Sequence, residues 1–529
     1  MPAFSEAVNP VRFQLLLDSA RRLARAARRG PLPANAYGDW LARHLPSRAE
    51  LKRQVAASPA LAWQPAIDLV IRRRPGDEAA LRATQASLMA QTYPRFSVLD
   101  SVEHGSGELV GFIDSGDTLA PHALFSIASS GAAHTDLHYC DEDVVGFERP
   151  FFKPGWSPDA LLSRDYVGGL KLLRRGLLDA PFESEQQLLL RLLPRLRKVH
   201  HLSDVLFHRR PDFTPAPSRE AVAEHVARNW GPNYRVAADG GIFFEPKTSP
   251  RVAVIIPLRD KIELLRGCLL SLERRPSRAG IELIIVDNGS VEPATHAFLA
   301  QLAASGRATV LPYPQQFNWS AVNNLGAARS RAEYLLFLNN DVEALTEGWL
   351  DAMLAFASRP EIGIVGAQLL YPDGTLQHTG VVMGMTGYAG HMLAGTPPAE
   401  WTYCGPTDMI RNCTAVTGAC MMMRRALFEE LHGFDERFIL CGSDVEICLR
   451  ARKAGYRTVV TPHARLTHFE SKTRGREIPK SDFQHSFEAY EPYLRDGDPY
   501  YNPQLSLKTP TPAPRLERED MLSFARRFI

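Results

Sequence analysis

The chain has 529 residues, of which 45% are hydrophobic and 23% are charged. This composition excludes a disordered or fibrous protein, and the length predicts about two to four globular domains. The formal net charge of +2 argues against a dedicated nucleic-acid-binding protein, for which a concentrated basic surface is expected.

The seven cysteines include no C-x-x-C pair, so neither a zinc site nor a redox motif is predicted. An odd number of cysteines in a long chain fits a reducing compartment. The sequence has no run of about 18 apolar residues and no signal-peptide pattern at its start. We therefore expect a cytoplasmic protein that is not integral to a membrane.

Residues 1–60 are rich in arginine and alanine and are predicted to be helical. Within them, residues 11–29 place apolar side chains among arginines, which predicts a basic amphipathic helix. Such a helix binds an anionic bilayer, or it covers part of the next domain. Both interpretations stay open, and peripheral contact with the inner face of the cytoplasmic membrane is one expectation for this segment.

Composition divides the rest of the chain into three parts. Residues 61–245 are mixed, residues 246–495 have a strong α/β pattern, and residues 496–529 form a proline-rich tail. Closely spaced prolines favour extended backbone, so the tail is predicted to be a linker that ends in a short helix.

The α/β part opens with a buried strand, Val252–Ile256, followed by a helical pattern and a second strand that ends at Asp287. A strand–helix–strand unit predicts a parallel sheet. A later apolar strand, Tyr334–Leu338, is followed directly by Asn339, Asn340 and Asp341. Both polar clusters fall at the carboxyl ends of strands, where ligands of α/β sheets bind.

The alternative for the second cluster is a simple turn that caps a helix starting near Thr346. The ligand-site interpretation is favoured because two polar clusters fall on one edge of one predicted sheet. Amide and carboxylate oxygens there can hold a hard cation and contact a phosphate or ribose.

The sequence also contains an internal repeat. FIDSGDTLAPHAL, which begins at residue 112, aligns with FLNNDVEALTEGWL, which begins at residue 337. The first copy lacks the stretch that carries FNWSAVNNLGAARS, and it has Gly116 where the second copy has Asp341. The two copies therefore differ where chemistry is expected.

Taken together, the strand ends, the NNLGAA helix start, the NND turn and GSDVEICLRARKAGYR resemble family two glycosyltransferases of the GT-A fold. The resemblance is closest to bacterial rhamnosyl- and galactofuranosyl-type enzymes and covers about residues 250–490. Residues 61–210 resemble a degenerate copy, which the resemblance implies to be catalytically silent and to bind acceptor or hold a partner. The implied fold class is α/β, with two tandem GT-A-like domains of mostly parallel sheet flanked by helices, after an N-terminal helical segment.

The resemblance implies a nucleotide-sugar site at the strand ends. The implied donor-binding residues are Pro257, Asp287, Asn324, Gly326, Asn339 and Asn340. Asn339 and Asp341 stand where the family has its metal-binding D-x-D, and a family histidine corresponds to His468, so a divalent cation, Mn²⁺ or Mg²⁺, is implied. Imidazole favours Mn²⁺. The alternative for His468 is a structural histidine.

Within GSDVEICLR, Asp444 matches the family's catalytic base and Glu446 its neighbouring acid. Ser443 and Glu446 also fit a capping box that opens a helix ending at Gly455. The capping box accounts for those two residues but does not require Asp444. Both interpretations of Glu446 remain open at this point.

Other implied residues lie around the acceptor side of the site. His391 is implied in shaping the acceptor cleft, and Trp401 stacks on a sugar or belongs to the core. Lys472 and Arg474 form a basic lid over the donor diphosphate or are solvated charges.

The resemblance implies inverting transfer of a sugar from dTDP-rhamnose or a UDP-sugar to a saccharide or lipid-linked saccharide acceptor, in bacterial surface polysaccharide synthesis. A non-catalytic carbohydrate-binding or assembly protein with the same fold is the alternative. A nucleotidyltransferase is disfavoured because IIPLRDKIE has no glycine-rich loop after the first strand.

Overall fold

The computed structural model describes residues 35–74, 76–211, 217–469 and 478–529. The predicted basic helix at 11–29 and the two lid residues Lys472 and Arg474 lie outside these ranges. The described α-helices are α1 (Ala36–His44), α2 (Arg48–Ala57), α3 (Glu78–Met89), α4 (Ala123–Ser129), α5 (Glu185–Leu192), α6 (Arg219–Asn229), α7 (Ile262–Arg274), α8 (Pro293–Ala304), α9 (Trp319–Arg329), α10 (Trp349–Ala357), α11 (Arg425–Glu430), α12 (Ser443–Lys453), α13 (Lys480–Asp496) and α14 (Met521–Ala525).

The strands of the described residues form two large sheets and three small two-stranded ones. The strands up to the end of the first large sheet are β1 (Ile67–Arg72), β2 (Phe96–Leu99), β3 (Leu109–Asp114), β4 (Thr118–Leu119), β5 (Leu137–Val144), β6 (Glu148–Phe151), β7 (Lys171–Arg174) and β8 (Val199–Arg209). The strands that follow are β9 (Tyr234–Val236), β10 (Ile242–Phe244), β11 (Arg251–Leu258), β12 (Gly280–Asp287), β13 (Thr309–Pro312), β14 (Tyr334–Leu338), β15 (Val342–Ala344), β16 (Ile362–Leu370), β17 (Leu376–His378), β18 (Val381–Met383), β19 (Ala389–His391), β20 (Trp401–Thr402), β21 (Gly405–Pro406), β22 (Arg411–Cys413), β23 (Cys420–Arg424) and β24 (Arg457–His468).

Apolar runs form the central strands of the second sheet, as expected for strands covered on both faces. β11 and β14 are buried almost throughout. Helix α9 packs closely against β11, because a Cβ atom on Gly326 would lie 2.4 Å from the Ile255 side chain. Glycine at this position therefore allows the helix to approach the sheet.

The predicted α/β class is confirmed, but the sheets are mixed and not mostly parallel. In the second sheet, β11 pairs in parallel with β12 and β14, whereas β23 pairs antiparallel with both β14 and β16. Between β16 and β23 the chain forms the short strands β17 to β22, and β23 then runs antiparallel to both of its neighbours.

The two large sheets have the same strand order. The first runs β2-β1-β3-β7-β5-β8-β4, and the second contains β12-β11-β14-β23-β16-β24-β15 in the corresponding places. The pairing directions also agree, for example parallel between β5 and β8 and between β16 and β24. This topology is what the sequence repeat predicts, whereas the domain limits at 61, 246 and 496 stay predictions.

The second sheet has an insertion that the first lacks. Between β12 and β14 the chain forms α8, β13 and α9, whereas β2 is followed by β3 after one short 3₁₀ turn. The insertion contains Asn324 and Gly326. The first sheet therefore has no counterpart to a region that the family resemblance assigns to donor binding.

The ladder register shows which residues of the first sheet take the place of predicted site residues. Arg72 corresponds to Pro257, because β1 and β11 pair equivalently with β3 and β14. Arg209 corresponds to His468, because β8 and β24 pair equivalently with β5 and β16. Arg209 donates to Glu142 at 2.9 Å, so this position holds a buried ion pair.

The part of the chain that carries the first large sheet, here called the first half, packs on the part that carries the second large sheet, the second half. The contacts are both apolar and charged. One apolar cluster contains Leu188 of the first half and Leu350 of the second. Asp159 accepts hydrogen bonds from Arg457 at 2.7 Å and from Asn412 at 2.6 Å. Since Asp159 is buried, its two partners satisfy a charge that is otherwise costly to bury.

The C-terminal segment is not the extended linker that its prolines predict. Tyr501 and Leu505 are buried in an apolar cluster that also contains Trp40 of α1. Asn502 donates to Asp141 of the first half at 2.8 Å. Prolines prevent regular structure here, but the apolar residues between them still bury on the protein. The predicted short helix is present as α14.

In the part of the chain that the structure describes, none of the helices is both long enough and apolar enough to cross a lipid bilayer.

Candidate active site

The predicted site residues lie at one edge of the second sheet. β12 ends at Asp287, β14 ends before Asn339, and β24 ends at His468. The Asn339 backbone N–H donates to the Ala419 carbonyl at 3.0 Å, just before β23 begins. Strands of both directions therefore meet at this edge, which gathers residues far apart in the sequence.

Asn339, Asp341 and His468 lie together at this edge. Val342 pairs with His468 across the antiparallel β15–β24 ladder. Asp341 Oδ1 is 3.3 Å from His468 Nε2, and Asn339 Nδ2 is also 3.3 Å from that nitrogen. The Asp341 side chain is 5% exposed and that of His468 is 12% exposed. The structure thus brings together the three residues predicted to bind a metal.

Gln377 fixes the orientation of the His468 ring. Its Nε2 donates to the His468 carbonyl at 3.3 Å, which turns its Oε1 towards His468 Nδ1 at 2.6 Å. Because Oε1 is an acceptor, Nδ1 carries the proton and donates. In the neutral ring Nε2 is then unprotonated and faces Asp341. This arrangement is typical of histidines that bind metal through Nε2.

The donor set fits a divalent cation. One carboxylate oxygen and one unprotonated imidazole nitrogen converge beside the Asn339 amide, whose oxygen is the atom that could bind a cation, and this mixture suits Mn²⁺ better than Mg²⁺. No group of three or more His, Cys, Asp or Glu residues is placed to hold a metal in the described ranges. The set therefore depends on the neutral amide of Asn339, and Asp341 is its one carboxylate.

Gln377→Leu is expected to weaken Mn²⁺ binding by roughly tenfold to a hundredfold, because the His468 ring loses the acceptor that sets its tautomer. Gln377→Glu keeps an acceptor oxygen at the same place and should bind within a few-fold of wild type. Electron paramagnetic resonance titration of free Mn²⁺ measures both affinities without any turnover.

Gln368→Leu is the matched control for that experiment. Gln368 is also buried, and it bonds Arg465 at 2.8 Å and the Thr407 carbonyl at 3.1 Å, not His468. The Gln368→Leu substitution should lower the unfolding temperature about as much as Gln377→Leu does, but it should leave the Mn²⁺ titration unchanged. Equal Mn²⁺ affinities for wild type and the Gln377→Leu protein would contradict the assigned role.

Asp444 is the second residue of α12, and two backbone N–H groups orient its carboxylate. Gly418 N–H donates to Oδ2 at 2.8 Å, and Val445 N–H donates to Oδ1 at 2.9 Å. The side chain is half-buried. A carboxylate held in this way presents a fixed direction towards an approaching hydroxyl, as a general base requires.

A two-residue segment links Asp444 to the residues around Asp341. Gly418 binds the Asp444 carboxylate, and the next residue, Ala419, accepts from Asn339. Neighbouring Cα atoms are about 3.8 Å apart, so this link is short. The candidate base and the candidate metal ligands therefore belong to one site.

Asp482 of α13 holds the loop before Asp444 and was missed by the sequence analysis. Its buried carboxylate accepts from the backbone N–H groups of Ile439, Leu440 and Cys441 at 2.9, 2.7 and 3.0 Å. Three such bonds fix the approach to α12. In the sequence Asp482 resembles an ordinary acidic residue of a first helical turn, so nothing there indicates this contact.

The predicted capping box is wrong. Helix α12 begins at Ser443 after Gly442, which has φ +95°, and no side chain caps it. Glu446 instead forms a bidentate pair with Arg450, with both N–O distances 2.7 Å. The i,i+4 spacing favours this pair over a reach back to the helix start. These bonds give Glu446 a structural role, and its predicted catalytic role stays untested.

The predicted donor residues divide into two kinds. Asp287 lies at the strand end and accepts from the Ser290 N–H at 3.0 Å, and Pro257 lies beside it on β11. Asn324 bonds the Phe434 backbone in both directions at 2.9 Å, and Gly326 packs on β11. The latter two therefore have structural roles, while donor contacts for all four, and for the buried Asn340, stay predictions.

His391 is partly buried and contacts Gln377, as His468 does, and its predicted part in shaping the acceptor cleft stays a prediction. Its Nδ1 is 3.1 Å from the Gln377 carbonyl, and its ring meets that of His378 at 4.9 Å. His378 is fully buried, and burial holds its pKa well below the usual range for histidine. Trp401 lies elsewhere, in a cavity between the two halves.

Comparison with known proteins bears on this site. Residues 253–432 match the family described as Glycosyl transferase family 2. The chain contains a glycosyltransferase family 2 domain. The matched residues include Asp287, Asn339 and Asp341, and they end before Asp444 and His468. The first sheet lies outside the match.

The similarity to one relative of known name extends beyond the residues that match family 2. O-antigen biosynthesis protein RfbC of Myxococcus xanthus is 36% identical over 89% of this chain and 42% of its own length. N-acetylglucosaminyl-diphospho-decaprenol L-rhamnosyltransferase of Mycobacterium tuberculosis is 27% identical over 43% of this chain and 78% of its own length. The chain thus spans less than half the length of the RfbC protein.

Among solved structures, GalNAc-T7 with UDP, GalNAc and Mn²⁺ is similar at 15% identity and a TM-score of 0.39, over 48% of this chain and 51% of that one.

Proposed function

We propose that the chain is an inverting, metal-dependent glycosyltransferase. It moves a sugar from a nucleotide-diphosphate sugar, dTDP-rhamnose or a UDP-sugar, to a hydroxyl of a saccharide or lipid-linked acceptor. The observation that carries the proposal is the short link from Asp444 through Gly418 and Ala419 to the edge where Asp341 and His468 meet. A base and a cation site are thereby held side by side.

The reaction is a single displacement at the anomeric carbon. The acceptor oxygen forms a bond to that carbon while the bond to the donor diphosphate breaks, and the hydroxyl proton moves to the Asp444 carboxylate. The configuration inverts, and no covalent glycosyl-enzyme forms. A bound divalent cation supplies neutralisation of the charge on the leaving diphosphate. Asn339, Asp341 and His468 are the residues that would hold it.

The names of the relatives support a place in bacterial surface polysaccharide synthesis. One is named for O-antigen biosynthesis and another for rhamnosyl transfer to a polyprenyl-linked sugar. The proposal is tested by measuring the release of nucleoside diphosphate from dTDP-rhamnose and from several UDP-sugars, each with and without Mn²⁺.

The first half is proposed to be a non-catalytic copy. The support is electrostatic. Basic residues of the first sheet occupy positions at or next to those of the candidate site residues in the second sheet, and each forms an ion pair with a carboxylate. Arg72 binds Asp114 at 2.7 Å, Lys171 binds Asp165 at 2.8 Å, and Arg209 binds Glu142. Glu185, the first residue of α5, pairs with Lys171 and Arg72. The four carboxylates in these pairs are therefore each held by a cation.

Asp114→Asn is expected to leave transfer within about twofold of wild type, because Asp114 only pairs with Arg72 at a site without a reaction. The substitution gives the first copy the amide that Asn339 provides in the second. Initial rates with a small soluble acceptor measure the effect. A loss of rate beyond tenfold in a protein that unfolds at the wild-type temperature would show that the first half takes part in catalysis.

A further inference from the structure

A cavity of about 760 Å³ lies between the two halves and apart from the candidate active site. The lining residues of the first half include Arg164 and Arg219, those of the β9–β10 hairpin include Asp239 and Phe243, and those of the second half include Trp401. Asp341, Asp444 and His468 are not among the lining residues. The volume lies within the range of pockets that bind small organic ligands.

A bulge in β24 shapes one wall of this cavity. Ala367 pairs with Thr461 and the next residue, Gln368, pairs with Arg465, so residues 462–464 loop out of the ladder. His463 in this bulge lines the cavity, as Arg465 does. Arg465 precedes His468 by three residues, or roughly 10 Å along an extended strand. The cavity is therefore a separate place in the same domain.

Aromatic side chains provide flat apolar surfaces in the cavity. The Trp401 side chain is 39% exposed, which is high for a residue type that is usually well buried. The Arg164 guanidinium lies 5.4 Å from the centre of the Trp401 ring, and the Phe151 and Trp401 rings pack edge to face with their centres 5.6 Å apart. Phe243 is a second aromatic residue of the lining. Rings presented in this way can stack on the C–H face of a sugar.

The polar groups of the cavity are balanced in charge. The lining includes three arginines and three acidic residues, listed as Arg164, Arg219, Arg465, Asp239, Glu347 and Asp408. Burial lowers the pKa of His463, so that ring is neutral near pH 7. A balanced set disfavours a polyphosphate or polyanion. Guanidinium donors beside carboxylate acceptors instead suit hydroxyl groups, which both donate and accept.

We propose that this cavity binds a neutral oligosaccharide and holds a polymeric acceptor away from the transfer site. The saccharide class rests on the proposed function, whereas the separate location rests on the cavity itself. Arg164 supports the assignment, because its guanidinium lines the cavity over Trp401 and makes no hydrogen bond to the described residues. A sugar hydroxyl would supply an acceptor for it.

The test is binding of a panel of neutral gluco-, manno-, galacto- and rhamno-oligosaccharides, measured by saturation-transfer NMR on the full chain without donor or metal. We expect at least one to bind, with roughly tenfold weaker binding in Trp401→Ala and in Phe243→Ala. Phe528→Ala, which removes an exposed aromatic outside the cavity, is the control and should bind as wild type does.

Asp341→Ala separates this proposal from the proposed function. Oligosaccharide binding should survive in that variant if the cavity is the site, and its loss would place the saccharide at the transfer site and overturn the proposal. Absence of binding to the whole panel, or binding unchanged in both aromatic variants, would also overturn it. If the aromatic variants lose binding while the wild type releases no nucleoside diphosphate, the cavity assignment stands and the proposed transfer fails.

Discussion

Asp444→Asn is expected to lower turnover by roughly a hundredfold or more while donor binding stays near that of wild type. An amide cannot accept the acceptor's proton, yet it has nearly the same size and one oxygen that can still accept the Gly418 N–H. Initial rates of nucleoside diphosphate release measure turnover, and calorimetric titration of the donor measures binding.

Asp435→Asn is the matched control for this prediction. Asp435 lies in the loop before α12, and its carboxylate pairs with exposed Arg437 at 2.6 Å. We expect near-normal rates for it. Near-normal turnover in a folded Asp444→Asn protein would remove Asp444 from the mechanism and leave its two backbone bonds as a structural role.

Asp341→Ala is expected to abolish Mn²⁺-dependent donor binding, because Asp341 is the carboxylate of the predicted donor set. His468→Ala should weaken the metal dependence less, by roughly tenfold to a hundredfold, since a water can replace imidazole as a ligand. Raising the Mn²⁺ concentration should then partly restore the histidine variant. Donor titrations at a series of Mn²⁺ concentrations distinguish the two effects.

Asp373→Asn is the control for the metal experiment, because Asp373 lies in an exposed turn and bonds only its neighbour Thr375 in the described contacts. It should leave the Mn²⁺ titration unchanged. Activity that persists in excess EDTA, or an unmoved Mn²⁺ titration in the His468→Ala protein, would rule out a shared metal site.

The sequence predicts the second sheet well because local signals agree there. The apolar run of β14 and the polar residues after it already indicate a buried strand that ends at a ligand edge. The family resemblance then connects Asp341 with His468, which no local pattern does. The structure brings these two side chains to 3.3 Å, although their roles are still to be tested.

Long-range contacts explain what the sequence analysis missed. Gln377 and Asp482 act on residues far along the chain, and neither has a local pattern that indicates a partner. The capping box failed for a local reason, because Arg450 one turn further along α12 binds the Glu446 carboxylate. Similarly, the buried Tyr501 was not predicted from a segment whose prolines suggest a linker.

The two copies of the repeat share a strand topology but differ in the side chains at the position of the candidate metal site. Phe112 and Phe337 align in sequence and sit in equivalent strands. Yet Arg209 takes the place of His468. Burial lowers the pKa of Arg209, but Glu142 together with Asp117 and Asp165 raises it above its usual value on balance. A permanently charged side chain there would repel a divalent cation. Sequence alignment alone finds the repeat, whereas the register identifies this replacement.

Release of nucleoside diphosphate tests the central claim most directly. The full chain is incubated with dTDP-rhamnose and a set of UDP-sugars, with a saccharide acceptor and Mn²⁺, and both nucleoside diphosphate and pyrophosphate are measured. We predict that one donor yields nucleoside diphosphate, that EDTA stops this release, and that the Asp444→Asn protein gives at most about a hundredth of the rate. Release of pyrophosphate, or consumption of no donor at all, would contradict the account.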